Sequence, residues 1–501
     1  PAVDFFSYAN GGWIKRNPIP AAYASWGIAN LVVEEIRTKI KTINEDALNA
    51  NAEKGSNTQK LGDFYFSGMD SIGIEKSGVE PLKGEFAKIN AITNANGVID
   101  EVAYLHTLGT STLFSSGAGQ DSKKSDEIAF QFYQGGLGMP SRDYYLNTDS
   151  RTAKIRADYQ EHFLPTLLSL SGLSKEEAAA AAKSVFAIEK NLAEHSRKLE
   201  DLRDPYANYN KLSVADFSKS TPLINWSDVL TKMNVPKVDS VIIGQPEFYT
   251  NINTALTKFS IADWKAYLRF NVINTYADYL SSAINKENFR FYGTVISGRK
   301  EQLPRWKRVL DNEENAMGEI LGQLFVKEYF NETAKKRYEV MVDNVLDAYR
   351  ERLKTLAWMS PATREKALLK LNTVVKKVGY PDKWKDYSSL TIDRGPYVLN
   401  IMRANQWAYN ENIKKLGKPV DRTEWGMTPQ TYNAYYNPSN NEIVLPAAIF
   451  TIPGMRDEDV DDAVVYGYGG AYTIGHEITH GFDDQGRQFD EKGNLKSWWT
   501  A

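Results

Sequence analysis

Residues 476–480 read His-Glu-Ile-Thr-His. In a helix, positions four apart stand one above the other, so His476 and His480 can offer both imidazoles to a single metal ion. Glu477 follows the first histidine and can lean over the ion's open side. Zinc held this way lowers the pKa of a bound water to about 7. A carboxylate beside that water can take its proton, for attack on a peptide carbonyl that the metal polarises. The residue types and their spacing therefore supply two ligands and a general base. Histidine is otherwise scarce: only His106, His162 and His195 remain, each alone in its stretch. For a lone helical histidine, packing or a helix-end role is the ordinary explanation.

A zinc ion with two histidines still needs a third protein ligand. The metzincin extension would require Gly at 483 and His at 486, but those positions hold Asp483 and Gly486. Ligating histidines usually donate their second N–H to a carboxylate or carbonyl, which makes Asp483 the candidate partner of one imidazole. A surface carboxylate at a helix end is the plainer alternative. The lead-in, Val464 to Tyr472, is apolar and rich in glycine. Each glycine costs a helix about 1 kcal/mol relative to alanine, and is tolerable where another backbone must come close. Gly481 marks a weak point of the helix or its end.

The run Gly475-His476-Glu477-Ile478-Thr479-His480-Gly481-Phe482-Asp483-Asp484-Gln485-Gly486-Arg487, with Trp498-Trp499-Thr500, resembles the neprilysin and endothelin-converting-enzyme family of zinc metallopeptidases. Tyr8-Ala9-Asn10-Gly11-Gly12-Trp13, Gly136 to Tyr145, Asn433 to Tyr436 and Ile443 to Ala447 resemble further blocks of that family, most of all its bacterial oligopeptidase O branch. The resemblance implies a mainly α fold with a smaller α+β portion. It would be two-lobed, with a thermolysin-like catalytic domain and an all-helical domain enclosing a chamber that admits peptides and excludes folded proteins. It implies one zinc per site, Asn433 and Ala434 holding the substrate backbone, and Ile449 lining the pocket for the residue after the cut, which is generally large and apolar. The family's third ligand is a glutamate in a downstream Glu-x-x-x-Asp helix, followed by an assisting His and Arg. All three would lie beyond Ala501. The expectation is therefore the larger part of a nicked or truncated enzyme, with a C-terminal fragment docked on it to supply the glutamate.

Composition sets the outer bounds. The chain has 501 residues, enough for two or more domains, with 25% charged residues and a formal net charge of −3. That balance gives no reason to expect nucleic acid or an anionic membrane as partner. Cysteine is absent, which removes disulfides and thiol chemistry. No run of 18 apolar residues reads as a membrane span. Ala9 stands where animal members of the family carry a cysteine, which favours a bacterial source. An exported protein, periplasmic or at the cell surface, is expected, its signal not being in this chain.

The elements that must position the motif follow from periodicity. An extended, proline-marked segment surrounds Pro18 and Pro20, and a helix runs from about Ala29 through Ile43. Residues 56–92 read as a helical pair. Thr112 to Asp121 reads as a strand passing into a loop, and Ile128 to Gln134 as a second strand. Ser174 and Glu177 form a capping box ahead of a long helix. Asp204-Pro205-Tyr206 punctuates the chain, giving an N-terminal part of a catalytic domain at 1–205, a helical domain at 206–404, and the motif-bearing part at 405–501. Asn433 to Leu445 reads as a hairpin whose edge strand can take an extended peptide, or a purely structural hairpin. The expected activity is zinc-dependent cleavage of oligopeptides on the amino side of large hydrophobic residues. The competing readings are a peptide-binding protein that has lost catalysis, and a structural zinc helix.

Overall fold

The apolar stripes read from the sequence become the helices of a mostly helical molecule with two small sheets; the computed structural model describes residues 2–499. A helix missing from the sequence reading, α1 (Phe5–Arg16), precedes the prolines and starts on Asp4, whose carboxylate accepts from the Ser7 amide. Its Asn-Gly-Gly centre disguised it, because those residues favour turns. Helix α2 (Ile28–Asn49) buries Val32, Ile36, Ile40 and Ile43 along one stripe. It packs on α3 (Asn57–Met69), where Gly62 permits a close crossing: a Cβ there would stand 2.7 Å from the Ala47 carbonyl oxygen.

Strands β1 (Phe114–Asp121) and β2 (Lys124–Gln134) pair antiparallel, with Phe114 opposite Gln134. The glycines at 117 and 119 read as loop in the sequence, yet the strand continues to Asp121. The Asn412 side-chain amide explains this. It accepts from the Ala118 N–H at 2.9 Å and donates to the Ala118 carbonyl at 2.8 Å, taking the place of a neighbouring strand. Helix α4 (Lys175–Glu194) carries the expected capping box of Ser174 and Glu177. Strands β3 (Asn210–Ser213) and β4 (Ser240–Ile243) then complete a sheet in the order β1-β2-β4-β3, with β2 and β4 parallel. Hydrogen bonds of this sheet thus run across residue 205. The Asp-Pro-Tyr punctuation there is a surface turn just ahead of β3.

Helix α5 (Ile261–Tyr276) packs on α4, and α6 (Arg305–Tyr329) packs on both α2 and α3. The remaining elements build the motif's surroundings. They are α7 (Glu332–Lys354), α8 (Pro361–Asn372), β5 (Val375–Gly379), α9 (Tyr397–Ile413), β6 (Tyr435–Asn437), β7 (Glu442–Pro446) and α10 (Gly475–His480). The second sheet has the order β5-β7-β6: β7 is central, parallel to β5 and antiparallel to β6. The expected hairpin is present, and β6 is an edge strand. Helix α7 packs against β5 and α8, and α10 lies against β6.

Candidate active site

Helix α10 is short and is entered through a π-helical stretch, Tyr466–Ile474. Such wide turns are rare and recur at functional sites. It carries glycines at 467, 469 and 470, and a Cβ at any of them would meet no atom closer than 3.4 Å. The regular period resumes at Gly475 and brings the two histidines together, with His476 Nε2 and His480 Nε2 3.1 Å apart. The rings stand nearly perpendicular, 85° between planes. Helix α10 ends at Gly481, whose amide donates back to Ile478. A Cβ at Gly481 would stand 3.2 Å from the Tyr436 ring, so strand β6 rests directly on the end of the helix.

Glu477 points away from solvent and is 6% exposed. Burial raises its pKa, while His476, His480 and the Tyr436 backbone amide draw it back. The net effect favours a carboxyl that takes up and returns a proton more readily than an exposed one. Asp483 lies one turn beyond His480, with Oδ2 2.7 Å from His480 Nδ1. Its other oxygen accepts from the amides of Gln485 at 3.0 Å and Gly486 at 2.8 Å. Burial opposes ionisation of Asp483, but the His480 contact and these two amides outweigh it, and its pKa is lowered. An anion there fixes the proton of His480 on Nδ1 and leaves Nε2 as the electron-pair donor. Gly486 is required by this turn: a Cβ would fall 1.8 Å from the His480 carbonyl oxygen.

The donor set suits zinc. Two nitrogens each about 2.0–2.1 Å from one tetrahedral zinc stand roughly 3.3 Å apart, close to the spacing here. Among the described residues, no group of three or more His, Cys, Asp or Glu side chains converges as a metal site. His106 is buried against the Thr112 carbonyl, His162 faces Glu287, and His195 contacts the Asn191 carbonyl; none of them joins the pair.

The other expected site residues sit around the sheet. Ala434 is buried at the start of β6, and its amide is held at 2.9 Å by the side-chain oxygen of exposed Asn433. Ile449 is buried in the turn Ala447–Phe450 that follows β7. It does not line the cleft of about 550 Å³ that opens at His476. That cleft is walled by Val345, Tyr349, Tyr466, Tyr472 and Thr479 as well as His476. Tyr349 was missed in the sequence. Its hydroxyl donates to the Gly475 carbonyl at 2.6 Å and lies 2.5 Å from Thr479 Oγ1. Nothing in the α7 sequence marks it, because an aromatic on a helical stripe reads as core. Arg203 reaches the far side of the turn and binds Asp484 through both carboxylate oxygens, 2.8 and 3.0 Å away.

A helical protein with a short two-histidine helix beside a sheet edge has the architecture of a metal-dependent hydrolase. Two sequence profiles, both described as Peptidase family M13, match residues 1–381 and 433–501, and the chain belongs to that family. It is 31% identical to bovine endothelin-converting enzyme 1 over all of its own length and 68% of that protein's. It is 29% identical to Neprilysin-3 of Drosophila melanogaster, covering 66% of it. The zinc metalloprotease Zmp1 of Mycobacterium tuberculosis, solved with an inhibitor, superposes with a TM-score of 0.94 at 36% identity, over 99% of this chain and 75% of that one. PepO from Lactobacillus rhamnosis shares the fold, with a TM-score of 0.89 at 24% identity over 99% of this chain and 78% of that one. The chain thus spans about two thirds of the length of these curated relatives. Among the described residues, no helix is long and apolar enough to cross a membrane.

Proposed function

We propose that this chain carries the catalytic machinery of a zinc-dependent endopeptidase acting on oligopeptides. The observation that carries the reading is the 3.1 Å approach of the two Nε2 atoms with Glu477 buried beside them. His476 and His480 would hold the ion, and family membership supports zinc as the metal. Zinc, when bound, acidifies water and polarises a substrate carbonyl. Glu477 accepts the water's proton on its carboxylate and later delivers it to the departing amine nitrogen. Asp483 keeps His480 oriented throughout.

Substrate would enter as an extended strand along β6, whose outer edge is unpaired in the sheet order. Asn433 and Ala434 would then hold its backbone. For Asn433 this means exchanging its present bond to the Ala434 amide for one to the peptide. Ile449 would contribute to a pocket for a large apolar residue, giving cleavage on that residue's amino side. The third zinc ligand would be a glutamate outside these 501 residues. Two lobes, a helical one and a catalytic one, would enclose the substrate, and a bacterial, exported setting completes the reading. Similarity to the mycobacterial Zmp1 supports it.

The test is a zinc titration of the chain, with and without the C-terminal portion of a relative, followed by peptide hydrolysis before and after Glu477→Gln. Stoichiometric zinc and hydrolysis that disappears with Glu477 are expected. Hydrolysis that survives Glu477→Gln would overturn the assignment.

A further inference from the structure

Lys370 is 1% exposed, and its ammonium donates to backbone carbonyls rather than to a carboxylate. A buried, unpaired lysine is costly, and an apolar residue of similar length would fill the same space with no such cost. Something must therefore use its donors. Its Nζ donates to the carbonyls of Gly486 at 2.6 Å and Phe489 at 2.7 Å. The rings of Tyr436, Phe482 and Trp498 surround it, with centroids 5.8, 6.0 and 5.8 Å from Nζ. The lysine stands on α8, and its own carbonyl is held at 3.0 Å by the Asn441 amide, next to β7. It thus ties the turn after α10 to the sheet.

That turn is the one that orients His480. Gly486 lends its amide to Asp483 Oδ1 at 2.8 Å and its carbonyl to Lys370, while Asp483 Oδ2 sits 2.7 Å from His480 Nδ1. The structure assigns Lys370 as a positioning residue: its ammonium clamps the 483–489 turn so that Asp483 holds His480 ready for metal. This rests on the reading of His480 as a ligand. Burial pushes the Lys370 pKa down to about 7, against the pull of Asp490, Asp483 and Glu491. The clamp does not depend on that charge, because the neutral amine keeps enough N–H groups for both carbonyls.

The experiment compares Lys370→Met, which fills the ring cage without donors, with Lys370→Arg, which keeps donors. The first readout needs no metal. Amide hydrogen exchange at Gln485 and Gly486 should quicken about 10–100-fold in Lys370→Met, the size expected when buried acceptors lose their donor. Exchange in α4 and α5 should be unchanged, and Lys370→Arg should recover much of the protection. The second readout is Zn2+ alone, titrated into the full chain against a chelator. Affinity should fall about tenfold or more in Lys370→Met. In an Asp483→Asn background the same change should cost nothing further. Unchanged exchange at 485 and 486 overturns the proposal, as does a zinc loss of equal size in the Asp483→Asn background. Should Lys370→Met not fold, Lys370→Arg decides alone: retained protection at 485 and 486 supports a donor-based clamp, and loss of protection confined to that turn overturns it. If the unsubstituted chain takes no zinc, the functional reading fails while the exchange result still decides whether Lys370 holds the turn.

Discussion

The helical body and the motif end each bury a glutamate, and they do so in opposite ways. Glu189, on α4, is fully buried and closed off. It accepts from Tyr145 Oη at 2.9 Å, Tyr159 Oη at 2.8 Å and the Gly138 amide at 3.1 Å. Burial pushes its pKa up to about 8, with those three donors pulling the other way. Glu477 is also buried and also raised, but its neighbours are two imidazoles and the backbone of an edge strand. Burial alone makes a carboxyl reluctant to ionise. A chemical role needs burial together with a side left open to a reactant. The same contrast runs through the surroundings. Glu189 lies among stacked aromatics such as Tyr159, Phe163 and Phe291, whereas Glu477 follows a glycine-rich π-helical stretch.

The sharpest way to break the comparison is to make one substitution in both places. Glu477→Gln should reduce peptide hydrolysis by about 10²–10⁴-fold, the range for losing a general base, while unfolding temperature stays level or rises. Glu189→Gln should leave hydrolysis alone and change the pH dependence of stability instead. The folded pKa of Glu189 lies above its ordinary value of 4.5, so its contribution is whole below about pH 4.5 and is lost as pH climbs toward 8. Thermal unfolding from pH 5 to 8 should therefore decline less steeply in the variant. If the two variants exchanged these phenotypes, the distinction between closed and open carboxyls would fail.

Packing offers the next test. A Cβ at Gly138 would meet Tyr159 Oη at 2.0 Å and Glu189 Oε1 at 2.8 Å, whereas one at Gly467 would meet nothing within 4 Å. Gly138→Ala should destabilise by about 1–3 kcal/mol through overpacking. Gly467→Ala should be neutral, or stabilise by up to ~1 kcal/mol by stiffening the helical turn. Denaturant titrations of the two variants would show whether the glycines near the motif are there for clearance or for looseness.

Much of this was legible in the sequence because it is local. His476 and His480 needed only the helical period to meet, and Asp483 needed only one further turn. The capping box at Ser174 and Glu177 and the hairpin at β6 and β7 are likewise set by residues within a few positions of one another. What escaped depends on contacts between distant residues. Gly117 and Gly119 look like loop until Asn412, far along the chain, supplies the missing edge bonds. Nothing around Asp204-Pro205 tells that β4, beyond it, pairs back onto β2. The lysine at 370 and the tyrosine at 349 sit on ordinary helices, and only the fold shows that each ends on a carbonyl beside the motif.

The smallest expected effect is at Tyr349, and it asks how far the motif helix depends on its neighbours. The Gly475 carbonyl, one residue before His476, accepts from Tyr349 Oη and also from Thr479 Oγ1, the latter at 2.8 Å. Tyr349→Phe removes the first donor and keeps the ring that walls the cleft. Thr479 still serves the carbonyl, so no buried acceptor is left bare, and the loss should be that of one neutral hydrogen bond, about 0.5–1.5 kcal/mol. Thermal unfolding should register it, and kcat should fall by less than tenfold with KM little changed, because the cleft wall is intact. A fall in kcat as large as that for Glu477→Gln would mean that the geometry of His476 is imposed by α7 rather than by the short helix itself. The motif end would then be as tightly held as the surroundings of Glu189, with its openness confined to one face of one carboxyl.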